Sequence, residues 1–144
     1  MAVTAKLFGN ALKQAMNGEW DWDSDTIKVM LCTSSYAPDQ DVHDYKDDVD
    51  NEVSGTGYTA GGVALASCSV AYTAGTNVIK VDADDATWAA STITARYAVI
   101  YKSTGVDSTS PVIAYIDFGE DKSSENGAFT IEWHADGIAT ITVS

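Results

Sequence analysis

The sequence predicts a mainly β protein, an antiparallel β-sandwich of jelly-roll-like form, built as a single domain over residues 1–144 with one short N-terminal α-helix. Three observations carry this expectation. Apolar and polar residues alternate in short runs from Tyr58 to the C-terminus. Turn-forming clusters separate those runs into about seven or eight strands spaced by roughly 8 to 15 residues. Only one segment, ahead of all of them, has helical periodicity, so βαβ units are not indicated.

That segment is "TAKLFGNALKQAMN", residues 4–17. Phe8, Leu12, Ala15 and Met16 recur at helical spacing with Ala11 beside them, Thr4 can cap the start, and Gly18 follows the end. "TIKVMLCT" then sets Ile27, Val29 and Leu31 on one face of a strand and Lys28, Met30 and Cys32 on the other. A long acidic loop, about residues 35–57, has no clear period. Further strands are expected in "GGVALASCSVAY", "VIKVDA", "STITARYAVIYKS" (one strand, or two broken by a bulge), "SPVIAYIDFGE", "AFTIEW" and "IATITVS". "TAGTN" and "HADG" read as turns, the Asp-Gly of the second as a hairpin signal.

Charge narrows the function. A net charge of −13 argues against nucleic acid and anionic membrane surfaces as direct partners. No apolar run reaches membrane-spanning length, and polar Asn10, Lys13 and Gln14 interrupt the start, which does not read as a secretory signal. Cys32 and Cys68 read as two buried thiols in a reducing compartment, with a disulfide left open.

The motifs that carry chemistry do not assemble. "EVSGTGYTAGG", Glu52–Gly62, is glycine-rich but has the wrong spacing for a dinucleotide fingerprint and leads into a strand, so its glycines are expected to allow positive φ and close backbone approach. "DWDSD" places Asp21, Asp23 and Asp25 at alternate positions but lacks the rest of a calcium loop, and reads as a polar turn in which one Asp caps the chain locally. His43 and His134 have no partner at zinc-ligand spacing, and no nucleophile elbow is present. No catalytic residue, cofactor or metal is expected.

What remains is surface. Pro38–Glu52 carries a net charge of −6, with Val42, Tyr45, Val49 and Val53 threaded among the acids at intervals of three and four. Two readings stay open: a solvated loop, or a segment that docks onto a basic partner with charge setting the register. Trp20 and Trp22 share one face of an extended segment and, if exposed together, would anchor an interface. The candidate interface residues are therefore Trp20, Trp22, Asp44, Tyr45, Asp47, Asp48 and Asp50.

The stretches "NEVSGTGYTAGG", "DTIKVML" and "ITARYAVIY", within a likeness running from about Trp20 to the C-terminus, resemble a family of small structural proteins of tailed bacteriophages. The resemblance implies a virion component made in the host cytoplasm, one that decorates and cements the capsid by binding the major capsid protein, usually as a dimer or trimer of neighbouring copies. It does not separate head from tail, so a tail tube or accessory component is a rival. A carbohydrate-binding β-sandwich module is another.

Overall fold

The computed structural model describes residues 3–144. An inner strand of the larger sheet is β2, Ile27–Cys32, and both of its faces are covered. Ile27, Val29 and Leu31 enter one apolar cluster and Met30 and Cys32 a second, as the alternation predicts. In chain order the other elements are β1 (Thr4–Leu7), α1 (Gly9–Met16), β3 (Val63–Ala64), β4 (Ser69–Thr73), β5 (Val78–Asp82), β6 (Ala86–Lys102), β7 (Val112–Ile131) and β8 (Ala139–Thr142). They form two antiparallel sheets, a larger one in the order β1-β7-β6-β2-β3 and a smaller one in the order β4-β5-β8. This is the two-sheet architecture of a β-sandwich with one helix. Every neighbouring pair is antiparallel, and β4–β5 and β6–β7 are hairpins. This strand order does not by itself make a jelly roll.

The small sheet covers one face of the large one. Val81, Ala83 and Ile138 pack there against a cluster that includes Trp22, Val29, Ile100 and Ile113. The opposite face is covered by α1 and the acidic loop, over Phe8, Ala11, Met30, Cys32, Tyr36, Val99, Tyr101 and Val112. The molecule is thus a three-layer stack in which the acidic segment is one of the layers.

Four sequence expectations are corrected. The helix is shorter than residues 4–17, because Thr4–Leu7 is β1, paired in register with Ala114–Asp117 of β7. Sheet pairing there outweighs local helical periodicity, and Phe8, not Thr4, precedes the first helical turn. The buried residues of α1 are Ala11 and Gln14, while Met16 is 86% exposed. Gln14 is buried because its amide donates to the Asp44 carbonyl at 3.0 Å.

"GGVALASCSVAY" is two strands, since the chain leaves the large sheet after Ala64 and enters the small one at Ser69, with Ser67 at φ 56° in between. "SPVIAYIDFGE" and "AFTIEW" belong to one strand, the 20-residue β7, which runs beside the 17-residue β6 as a ribbon with several register shifts. Hydroxyl pairs also bridge that ribbon, Thr94 to Ser123 and Ser91 to Ser124 at 2.7 Å each, and Thr87 to Thr130 at 3.1 Å. The Asp-Gly turn, finally, carries the chain from β7 in one sheet to β8 in the other and closes no hairpin.

Candidate interaction surface

The acidic segment is held to the sheet along its whole length. Gly9 N–H donates to the Gln40 carbonyl at 2.9 Å, and the Gln40 side chain returns a bond to the Leu7 carbonyl at 2.9 Å. Asp39 turns the chain by accepting from the N–H groups of Asp41 and Val42. His43 then lies over Phe8 and Tyr36, with its Nδ1 at 3.1 Å from the Tyr36 hydroxyl. Val112 N–H donates to the Asp44 carbonyl, Lys46 N–H to the Ser110 carbonyl, and Val53 N–H to the Leu31 carbonyl. A single 3-10 turn, Lys46–Asp48, sits in the middle.

Of the threaded apolar residues, Val53 is core, Tyr45 and Val49 are half-buried, and Val42 is exposed. The loop is a solvated face built on a fixed frame. Asp47, Asp48 and Asp50 project into solvent, while Asp44 is half-buried and its N–H donates to Asp48 Oδ2 at 3.0 Å. Burial, then a hydrogen bond shared with Asp48, raises the Asp44 carboxyl above its ordinary range, and backbone N–H donors lower that of Asp48.

The tryptophans divide. Trp22 is 3% exposed and its Nε1–H donates to the Asp82 carbonyl at 2.9 Å, tying the segment to β5 across the sandwich. It is a core residue, so the expectation that Trp22 presents itself on the surface beside Trp20 is corrected. Trp20 is half-buried, with its Nε1–H on the Ala11 carbonyl at 2.9 Å. The tryptophan segment does reach the acidic face, through Glu19: the Tyr45 hydroxyl donates to Glu19 Oε2 at 2.7 Å. The "DWDSD" turn is a polar turn, in which Asp21 N–H donates to Asp25 Oδ2 at 2.7 Å and Asp25 meets Lys102 Nζ at 3.2 Å.

Two contributors were not singled out in the sequence. Glu19 and Asp107 extend the acidic face, around a shallow depression of about 220 Å³ lined by Glu19, Tyr45, Ser108, Thr109 and Pro111. Asp107 accepts an ion pair from Lys46 Nζ at 2.9 Å. The signal was present in "GVDSTSP", a turn-forming run between two strong strands, but nothing local says that it folds beside residue 45. Lys28, Lys46, Glu52 and Asp107 also line a neighbouring polar cleft of about 340 Å³.

The glycine-rich stretch wraps its own glutamate. Glu52 Oε1 accepts the Tyr58 hydroxyl at 2.7 Å and the Gly61 N–H, while Leu31 N–H donates to the Tyr58 hydroxyl oxygen at 2.9 Å. Gly57 and Gly62 have φ of 79° and 76°, and a Cβ on either would strike backbone, that of Ala90 and Val29 respectively. Close backbone approach is therefore their function.

The strongly displaced pKa values belong to buried neutral groups. Burial is the leading cause at Cys32, whose thiol is pushed up to about 12, and at Tyr36, Tyr58 and Tyr101, all raised. Cys32 is thus a packed thiol and a poor nucleophile at neutral pH, and neither cysteine is in a disulfide. Among the described residues no group of three or more His, Cys, Asp or Glu comes together as a metal site. Comparison of the chain with protein-family models, with curated proteins and with solved structures finds no match.

Proposed function

We propose that this chain is a structural protein of a tailed-bacteriophage virion, a decoration protein that binds the outer surface of the major capsid protein shell and stabilises it. The observation that supports this reading most is the acidic layer. It holds Asp47, Asp48 and Asp50 in fixed positions on a hydrogen-bonded frame, so the charge is presented in a set geometry at little ordering cost on binding. A basic ridge on a capsid subunit is the complementary partner. Binding only to the assembled shell would stabilise that shell by mass action, and repetition over the lattice would make weak contacts sufficient. Neighbouring copies of the chain are the second partner, and the capsid exterior is the location. The net charge of −13 disfavours nucleic acid and anionic membrane.

The test is cosedimentation with purified shells at several salt concentrations. Asp47→Asn together with Asp50→Asn removes charge without touching the frame. The pair should weaken binding about three- to thirtyfold at low salt, with the loss shrinking as salt rises. Unchanged binding by the double variant would refute the acidic face as the docking surface. Electron microscopy of particles labelled at the C-terminus would place the protein on head or tail, and a tail position would replace the decoration reading with the tail-component one.

A further inference from the structure

We infer that β4 is a copy-to-copy contact: two chains join edge to edge through Ser69–Thr73, antiparallel about a dyad at Ala71, making one continuous six-stranded sheet from two small sheets. This rests on the fold alone and stands apart from the capsid reading.

The argument starts from the row of residues on the inner face of the small sheet. Directly paired residues share a face. Ile141 of β8 pairs with Ile79 of β5, which pairs with Tyr72 of β4; Ala139 pairs with Val81, which pairs with Val70. The inner end of this row is in the sandwich, where Val81, Ala139 and Ile141 line the small cavity shared with Trp22 and Ile113. The outer end overhangs the large sheet. All five residues of β4 are exposed, Val70 at 47% and Tyr72 at 57%. A core-facing apolar row that runs past the core needs a second cover.

The edge itself is unguarded. Exposed edges are ordinarily protected by charge, shortness, bulges or proline. β1 carries Lys6, β3 has two residues, and the unpaired side of β7 beyond Phe118 carries Glu120, Asp121, Lys122 and Glu125. β8 is four residues long, with alternate residues half-buried. β4 has none of these devices. In a chain with 21 acids there is no carboxylate from Val53 to Val81, so β4 itself carries none, and the acids that approach it, Asp82 opposite Ser69 and Asp84 on Ser67, stand at its N-terminal end, away from Ala71.

The occupant that matches is the same strand. A dyad at Ala71 sets Val70 opposite the partner's Tyr72 and Ser69 opposite the partner's Thr73, extending the apolar row across the axis. Such an edge is small, so association is expected at about 100 μM and not at nanomolar concentration. It becomes effective where neighbouring copies are already concentrated on a surface.

The experiment is sedimentation equilibrium with the full chain, combined with cross-linking. Wild type should show a reversible monomer–dimer equilibrium. Val70→Glu with Tyr72→Glu puts like charges opposite each other at both symmetry-related positions and should weaken dimerisation about tenfold or more. Val70→Lys with Tyr72→Glu puts opposite charges there and should restore it. Ala71→Cys, in a Cys68→Ser background, should form a disulfide dimer on mild oxidation, since paired Cα atoms at a dyad lie within bridging range. A wild-type chain that stays monomeric at about 1 mM, far above the expected dissociation constant, would overturn the proposal. So would a trimer or ring in which Ala71→Cys does not cross-link, which would assign the contact to β4 against β8. Shell binding measured on the same variants separates the two readings, because loss of the dimer with Asp47 and Asp50 intact leaves the acidic face competent.

Discussion

Replacing Trp22 by phenylalanine should destabilise the protein markedly, and the same change at Trp88 should not. Both indoles are 3% exposed in the same apolar cluster. The Trp22 Nε1–H donates to the Asp82 carbonyl, while that of Trp88 finds no acceptor among the described residues. Trp22→Phe removes a net-favourable hydrogen bond and opens a gap between the sheets, for a combined loss of about 2–3 kcal/mol. Trp88→Phe also loses ring area, against Tyr58 at 5.9 Å and Phe129 at 6.0 Å between centroids, but it removes an unsatisfied donor as well. The net cost is expected near 1 kcal/mol. Urea unfolding followed by circular dichroism reads the difference. With a slope of about 2 kcal/mol per molar, Trp22→Phe should lower the midpoint by about 1 M and Trp88→Phe by about half of that or less. Equal shifts, or a larger one for Trp88→Phe, would refute the inter-sheet hydrogen bond as the source of the difference. If Trp22→Phe instead left stability unchanged and abolished shell binding, Trp22 would be a surface anchor after all.

Gly62→Ala should cost more than about 3 kcal/mol, because it combines a positive φ with a Cβ driven into the Val29 carbonyl; thermal melts of the purified variant check this. Glu52→Gln should cost about 1–2 kcal/mol by weakening the acceptor for Tyr58 and Gly61, and the amide protons of residues 58–62 should exchange faster with deuterium. Asp117 accepts from Arg96 Nε at 2.6 Å, and that bond, helped by the Gly119 N–H, holds its carboxyl below the ordinary carboxylate range. Its contribution to stability is therefore full above about pH 4 and is lost as pH falls through the lowered folded value. Asp117→Asn should be less stable than wild type at neutral pH, and the gap should close towards pH 2 in urea titrations run across that range.

The residues whose environment is local were the legible ones. β2 was readable because its two faces alternate and each meets a core. The turn role of Asp25 and the close approaches at Gly57 and Gly62 follow from residue type and spacing. What could not be read depended on partners remote in sequence. Thr4–Leu7 has a helix-compatible pattern and becomes a strand only because Ala114–Asp117 offers an edge. Residues 120–128 look like a connection because they are polar, yet the matching polar stretch of β6 bonds to them through hydroxyls. Trp20 and Trp22 alternate as neighbours on one face would, but one donates to α1 and the other to β5, a separation set by the third dimension. The cluster of acids was evident. That it forms a roof over Met30 and Cys32 was not, since its apolar contacts, Tyr36 and His43 on Phe8, lie outside any regular period.

That roof has a practical consequence for anyone trimming the molecule. A long polar loop invites deletion, and most such loops can be shortened without harm. Here excision would uncover the smaller of the two buried clusters, around Met30, Cys32 and Val99, and leave that face of the large sheet wet beyond the cover of α1. Surface character can be rewritten residue by residue at Asp47 or Asp50, whereas the stretch of chain that carries them is as indispensable as any strand.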